Sequence, residues 1–142
     1  MKKIFFTVSL IALTVMTAMA QDVTGKWKTI DDQTGEAKSI VEIYKMNGKV
    51  YGKVVEILDP KKRDLTCVNC TGSDKDKPIM GLVIIKGLEK DGDEYNDGTI
   101  TDPNNGKVYK CYIELEGANK LNVRGYIGFS LLGRTQTWLR VN

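Results

Sequence analysis

The sequence predicts an all-β domain, an eight-stranded antiparallel up-and-down β-barrel, and three observations carry that expectation. Apolar and polar residues alternate with period two over one short run after another, as half-buried strands require. Clusters of turn residues separate the runs, and no run carries the helical period of three to four. Strands joined by mostly tight connections leave two edges open to water, and pairing the first strand with the last removes both. A flat open meander or a two-sheet sandwich of the same strands is the competing arrangement.

The elements follow in order. Gly25 to Ile30 forms the first run and leads into the turn Asp31-Asp32-Gln33-Thr34-Gly35. Ala37 to Met46 and Val50 to Leu58 flank Asn47-Gly48, a pair that tolerates the positive φ a type I′ turn demands, so 37 to 58 reads as a hairpin. Ile79 to Leu88, Tyr95 to Thr101, Lys107 to Glu116, Lys120 to Ile127 and Arg134 to Val141 complete the set. Tyr109, Cys111, Ile113 and Leu115 share one face of the sixth run, with Lys110, Glu114 and Glu116 on the other; Leu121 and Val123 repeat the pattern on the seventh. Glu89 to Asp93, Asp102 to Gly106 and Gly117 to Asn119 are turns, and neither aspartate-rich one has the spacing of an EF-hand calcium loop.

Residues 1 to 20 stand apart from this domain. Lys2 and Lys3, the apolar run Ile4 to Val15 and the exit Ala18-Met19-Ala20 read as a cleaved signal peptide, too short for the roughly 20 apolar residues of a membrane anchor. No transmembrane segment remains after cleavage, and a single domain over 21 to 142 is expected in the periplasm or secreted. Losing Lys2 and Lys3 takes the 21 Lys+Arg to 19 against 18 Asp+Glu, a net charge of +1. Interspersed charge of that size excludes the electrostatic footprint of a nucleic-acid binder.

No histidine is present, no nucleophile constellation or phosphate loop is recognisable, and no cofactor is implied. Cys67 and Cys70 could close on each other, bind a metal or do redox work. Redox work usually places the pair at a helix start after a strand, and zinc needs four ligands that Cys111 alone cannot complete. In an oxidising compartment a local structural disulfide is the favoured reading. A Cys67 to Cys111 link would close a loop of about 45 residues and stabilise by about 4 kcal/mol against about 2 for the local one. Cys111 nevertheless lies on the apolar face of its strand, where a buried free thiol fits. The surrounding segment, Asp59 to Lys77, far exceeds a hairpin loop of 2 to 5 residues and is expected to be functional or mobile, or else a solvated insertion pinned by a disulfide. Asn69-Cys70-Thr71 matches a glycosylation sequon of little weight behind a bacterial-looking leader.

Several stretches together resemble the bacterial envelope family catalogued as domain of unknown function 2147: V-T-G-K-W-K-T at 23 to 29, C-V-N-C-T-G at 67 to 72, P-I-M-G-L at 78 to 82, D-G-T-I-T-D-P-N-N-G-K-V-Y-K-C at 97 to 111, and R-G-Y-I-G-F-S-L-L-G-R-T-Q-T-W at 124 to 138. The resemblance implies an exported, lipocalin-like barrel and brings no catalytic residues. Gly25-Lys26-Trp27 with Arg140 is also similar to the calycin arrangement, in which a first-strand tryptophan packs under a basic side chain at the closed end. Strand parity agrees, since the start of strand one and the end of strand eight share an end.

The same parity puts the 31 to 35 turn, the cysteine segment, the 102 to 106 turn and the Gly128 to Gly133 connection at the opposite, open end. Phe129, Leu131 and Leu132 are expected to rim or plug it. Arg134, Gln136, Trp138 and Arg140 share one face of the last strand, against Thr135, Thr137, Leu139 and Val141. Facing inward, the first set would line an enclosed polar space that needs partners or a ligand; facing outward, it would leave a threonine-and-aliphatic core. The size of Trp138 favours the inward choice. The expected site is therefore Arg134, Gln136 and Trp138 at the mouth, with Arg124 and Tyr126 as weaker members.

Two functions fit. One is a binding module that holds a small amphipathic or lipid-like ligand at the mouth. The other is an envelope interaction or structural protein whose barrel is filled by side chains. An enzyme ranks third, and no oligomeric state is legible. N-terminal sequencing of the protein from its native host is expected to begin at Gln21; a chain that begins at Met1 or Lys2 overturns the leader.

Overall fold

A computed structural model of the chain describes residues 22–142, so the expected leader and its cleavage point lie outside the described residues. Strands β1 (Gly25–Ile30), β2 (Ala37–Met46), β3 (Lys49–Ile57), β4 (Val83–Asp91), β5 (Glu94–Thr101), β6 (Val108–Glu116), β7 (Lys120–Tyr126) and β8 (Gly133–Arg140) pair in sequence order. β8 returns to β1 through Trp27 opposite Arg140 and Lys28 opposite Leu139, which closes the barrel. Among the described residues no open edge remains, so neither the open meander nor the sandwich applies.

Local chemistry places the elements. Asn47 and Gly48 both take positive φ, at 52° and 78°, and join β2 to β3 as the hairpin signal demands. β4 departs from expectation: it begins at Val83 rather than Ile79. Pro78 and Gly81 fold the preceding residues into a turn closed by Leu82 N donating to Ile79 O at 3.0 Å. Ile79 and Leu82 still enter the core from that turn, so their apolarity mimics a strand. At its other end β4 runs on through Glu89, Lys90 and Asp91, which pair with Asn96, Tyr95 and Glu94. Backbone pairing is indifferent to the polarity of those side chains.

The lower half of the barrel is filled. Val41, Ile43, Leu88, Cys111, Ile113 and Leu121 are fully buried around Trp27 and Trp138. Arg140 caps this end: its Cζ lies 4.3 Å from the Trp27 ring centroid. Its guanidinium donates to the carbonyls of Ala118 (2.9 Å), Thr24 (3.0 Å) and Asp22 (2.7 Å). Trp27 Nε1 donates in turn to Val23 O at 2.8 Å, so the indole is satisfied as well as buried. A cation over an indole face adds about 0.5 to 2 kcal/mol.

Cys111 is free and buried, and burial pushes its thiol up to about 12. It stays protonated and unreactive at physiological pH. Replacing Trp27 by Ala is expected to cost about 3 to 5 kcal/mol in urea unfolding. A loss under about 1 kcal/mol would mark the tryptophan as peripheral to the closed end.

Candidate functional site

The upper half of the barrel is hollow. A cavity of about 1070 Å³ opens at the end opposite Trp27. Its deep wall is apolar, from Val54, Ile84, Ile100, Tyr109 and Val123, and Trp138 forms part of its floor. Thr29, Ser39 and Gln136 add polar atoms, and the Thr29 and Ser39 hydroxyls bond each other at 2.8 Å.

The rim is built from connections. Two turns share one design: Asp31 O accepts from Gly35 N and Asp102 O from Gly106 N, both at 2.8 Å. Asp31 Oδ1 also caps Gln33 N and Thr34 N, and Asp102 Oδ1 caps Asn104 N. These N–H bonds, led by that of Gln33, hold the Asp31 carboxyl below its usual range.

The cysteine segment forms a third part of the rim and is held by its own bonds. Cys67 and Cys70 are disulfide-bonded and both buried. Cys67 N donates to Lys77 O at 2.8 Å and Asp76 N to Cys67 O at 3.0 Å, while Thr66 bridges Pro78. Short 3-10 turns at Pro60–Lys62 and Gly72–Asp74 flank the disulfide. Asp74 receives Lys86 of β4 at 2.5 Å, which ties the second turn to the wall; that bond holds the Asp74 carboxyl low. At Gly106 (φ 72°) a Cβ would lie 1.8 Å from Asn69 O, so only glycine lets the disulfide loop seat on the 102–106 turn.

β8 turns the expected inward face toward the interior. Trp138 Nε1 donates to Gln136 Oε1 at 2.9 Å, and Gln136 Nε2 donates to Asp32 Oδ1 at 3.3 Å. Arg134 grips Asp32 with two bonds, Nη2 to Oδ1 at 2.6 Å and Nε to Oδ2 at 2.9 Å. The structure thus brings Arg134, Gln136 and Trp138 together in one chain from floor to rim. Asp32 completes it, and sequence reasoning missed that role because the residue reads as one polar member of a turn. The Arg134 bond lowers the Asp32 carboxyl, and Asp32 raises Arg134.

Arg124 needs correction, whereas Tyr126 keeps a place at the cavity edge. Leu121, Val123 and Gly125 point inward along β7, so Arg124 projects from the outer wall and donates to Ser130 O (2.8 Å) and Thr135 Oγ1 (2.9 Å). The Tyr126 ring packs on outward-facing Tyr112 at 6.2 Å and also borders the cavity. Phe129, Leu131 and Leu132 do not plug the mouth; all three are exposed. Among the described residues no three His, Cys, Asp or Glu side chains converge as a metal site.

Comparison with known proteins bears on this architecture. The model of a family described as "Uncharacterized protein conserved in bacteria (DUF2147)" matches residues 25–140. No curated protein matches the chain. Among solved structures, protein HP1028 from the human pathogen Helicobacter pylori, described as belonging to the lipocalin family, superposes with a TM-score of 0.76 at 20% identity, over 86% of this chain and 84% of that one. At that identity the likeness establishes the barrel alone.

The Asp32 to Arg134 pair gives a pH test. Because the folded carboxyl titrates below its ordinary 3.8, its contribution is fully present above that value and is lost as pH falls through the folded one. Asp32→Asn is expected to lower stability at pH 7 by under about 1 kcal/mol, since Arg134 is mostly exposed. Thermal unfolding of both proteins should converge on acidification below 3.8. A difference that persists there assigns the loss to packing instead.

Proposed function

We propose, from the premise that this chain belongs to the bacterial family DUF2147 and folds as a lipocalin-like barrel, that it is an exported binding protein holding a small amphipathic or lipid-like molecule in the upper half of the barrel. The carrying observation is the contrast between the two halves. The lower half is packed solid, as a side-chain-filled barrel would be throughout. The upper cavity, at about 1070 Å³, exceeds the roughly 300 Å³ at which small-molecule sites begin. Its apolar wall suits a hydrocarbon portion and its polar rim a head group.

Rim charge narrows the head group. Arg134 is occupied by Asp32, and Lys38 pairs with Glu36 at 2.7 Å. Asp31, Asp59 and Asp102 then stand against Lys62 at the cavity edge. A neutral or cationic head fits this balance better than a carboxylate. Export to the periplasm or beyond is part of the proposal; the leader pattern and the disulfide, which persists in oxidising compartments, support it.

The test is displacement of the neutral fluorophore N-phenyl-1-naphthylamine from the mature protein. Single-chain amphiphiles with trimethylammonium or alcohol heads should displace it more tightly than a fatty acid of equal chain length. Ile100→Trp, which grows into the cavity, should weaken binding at least about tenfold, or about 1.4 kcal/mol. Absence of binding by every amphiphile class, in a protein that unfolds cooperatively, overturns the reading.

A further inference from the structure

We propose that the connection between β7 and β8 is a membrane-docking finger that seats the barrel mouth on a lipid bilayer. From Gly125 to Gly133 the chain carries no charge. Within that stretch Ile127, Phe129, Leu131 and Leu132 are 64%, 78%, 88% and 67% exposed. Other large exposed apolar residues are scattered singly, as is normal for a surface. A contiguous group is not, and marks an interaction site.

The exposure is built into the loop. Ile127 N donates to Leu132 O at 3.1 Å and Leu132 N to Phe129 O at 2.9 Å, which closes the connection on itself. Gly128, at φ 72°, supplies the turn. Arg124 fastens the tip by donating to Ser130 O. Held in this shape, the loop presents Phe129 and Leu131 to solvent, away from the cavity.

Three observations choose a bilayer as the occupant. The finger is rooted between Arg124 and Arg134, with Tyr126 at its base, the pattern of an apolar element whose aromatic and basic residues sit at head-group level. Four side chains on one protruding loop fall short of the roughly 800 Å² per partner of a stable protein interface. A second copy brought mouth to mouth would set the net negative rim of Asp31, Asp59 and Asp102 with Lys62 against its own counterpart. Ile127 and Leu132 also border the cavity, so a seated finger brings the cavity entrance to the acyl-chain boundary. Docking does not require the cavity to be occupied, and it can fail or hold independently of the ligand reading. Because the rim carries more acid than base, insertion is apolar and needs no anionic lipid.

The experiment is cosedimentation of the mature protein with phosphatidylcholine vesicles, with a Phe129→Ser/Leu131→Ser double variant alongside. Both substitutions lie in solvent, so the variant should unfold at the same temperature and bind N-phenyl-1-naphthylamine as before. The wild type is expected to partition onto vesicles at low and high salt, and the variant at least about tenfold less. In a Phe129→Trp variant, bromine-labelled lipid chains should quench the added emission while the buried Trp27 and Trp138 are spared. Wild type left in the supernatant at millimolar lipid overturns the proposal, as does a double variant that binds equally well. Concentration-dependent self-association lost in the double variant, without vesicle binding, would assign the finger to a second copy instead.

Discussion

Arg140 over Trp27 is the contact on which the molecule depends. A meander becomes a barrel only if its first and last strands meet, and here they meet over two residue pairs, Trp27 with Arg140 and Lys28 with Leu139. So short a seam has little ladder bonding of its own. The guanidinium supplements it by reaching three carbonyls, one before Trp27 on each of Asp22 and Thr24 and one on Ala118 from the β6–β7 turn. Arginine suits the task because its planar fork presents several donors at fixed angles while its face lies on the indole. The result is a sealed floor, and only a sealed barrel can keep a cavity that opens at one end.

Above that floor, β8 acts as a vertical ladder. Its inward residues rise from Arg140 through Trp138 and Gln136 to Arg134, from closed end to mouth; above Arg140, Trp138 donates to Gln136, and Gln136 and Arg134 both donate to Asp32. Polar groups inside a barrel cost free energy unless partnered. Among the described residues every buried side-chain nitrogen and oxygen has a partner. The polar chain is therefore self-sufficient, so the hollow above it is not demanded by an orphaned group.

Much of this was legible because strand periodicity and turn chemistry are local. The Asn47-Gly48 hairpin, the inward faces of β6, β7 and β8, and the pairing of Cys67 with Cys70 all follow from side chains a few residues apart. Features set across the barrel were not legible. Asp32 meets Arg134 over 102 positions, a distance no short-range pattern spans. The β4 boundary failed because burial from a turn and burial from a strand select the same apolar residues at Ile79 and Leu82. Arg124 lies off the cavity for a plainer reason: Leu121 and Val123 face the interior, so by parity Arg124 faces the outer wall.

The mouth that results is asymmetric. On one side the Asp31 and Asp102 turns and the disulfide segment form a rim stiffened by aspartate caps, a buried disulfide and the seat at Gly106. On the other side the β7–β8 finger is apolar, closed by its own backbone bonds and tied by Arg124 to Ser130 O. An amphipathic molecule approaching from water meets carboxylates across the rigid arc, which favour its head group and repel its tail. The finger offers the tail a continuous apolar path, because Ile127 and Leu132 face both solvent and cavity. On the proposed binding reading, entry over the finger would set the tail against Val123 and Ile100 and leave the head beside Asp31 and Asp102, so the polarity of the rim would fix the orientation of the ligand.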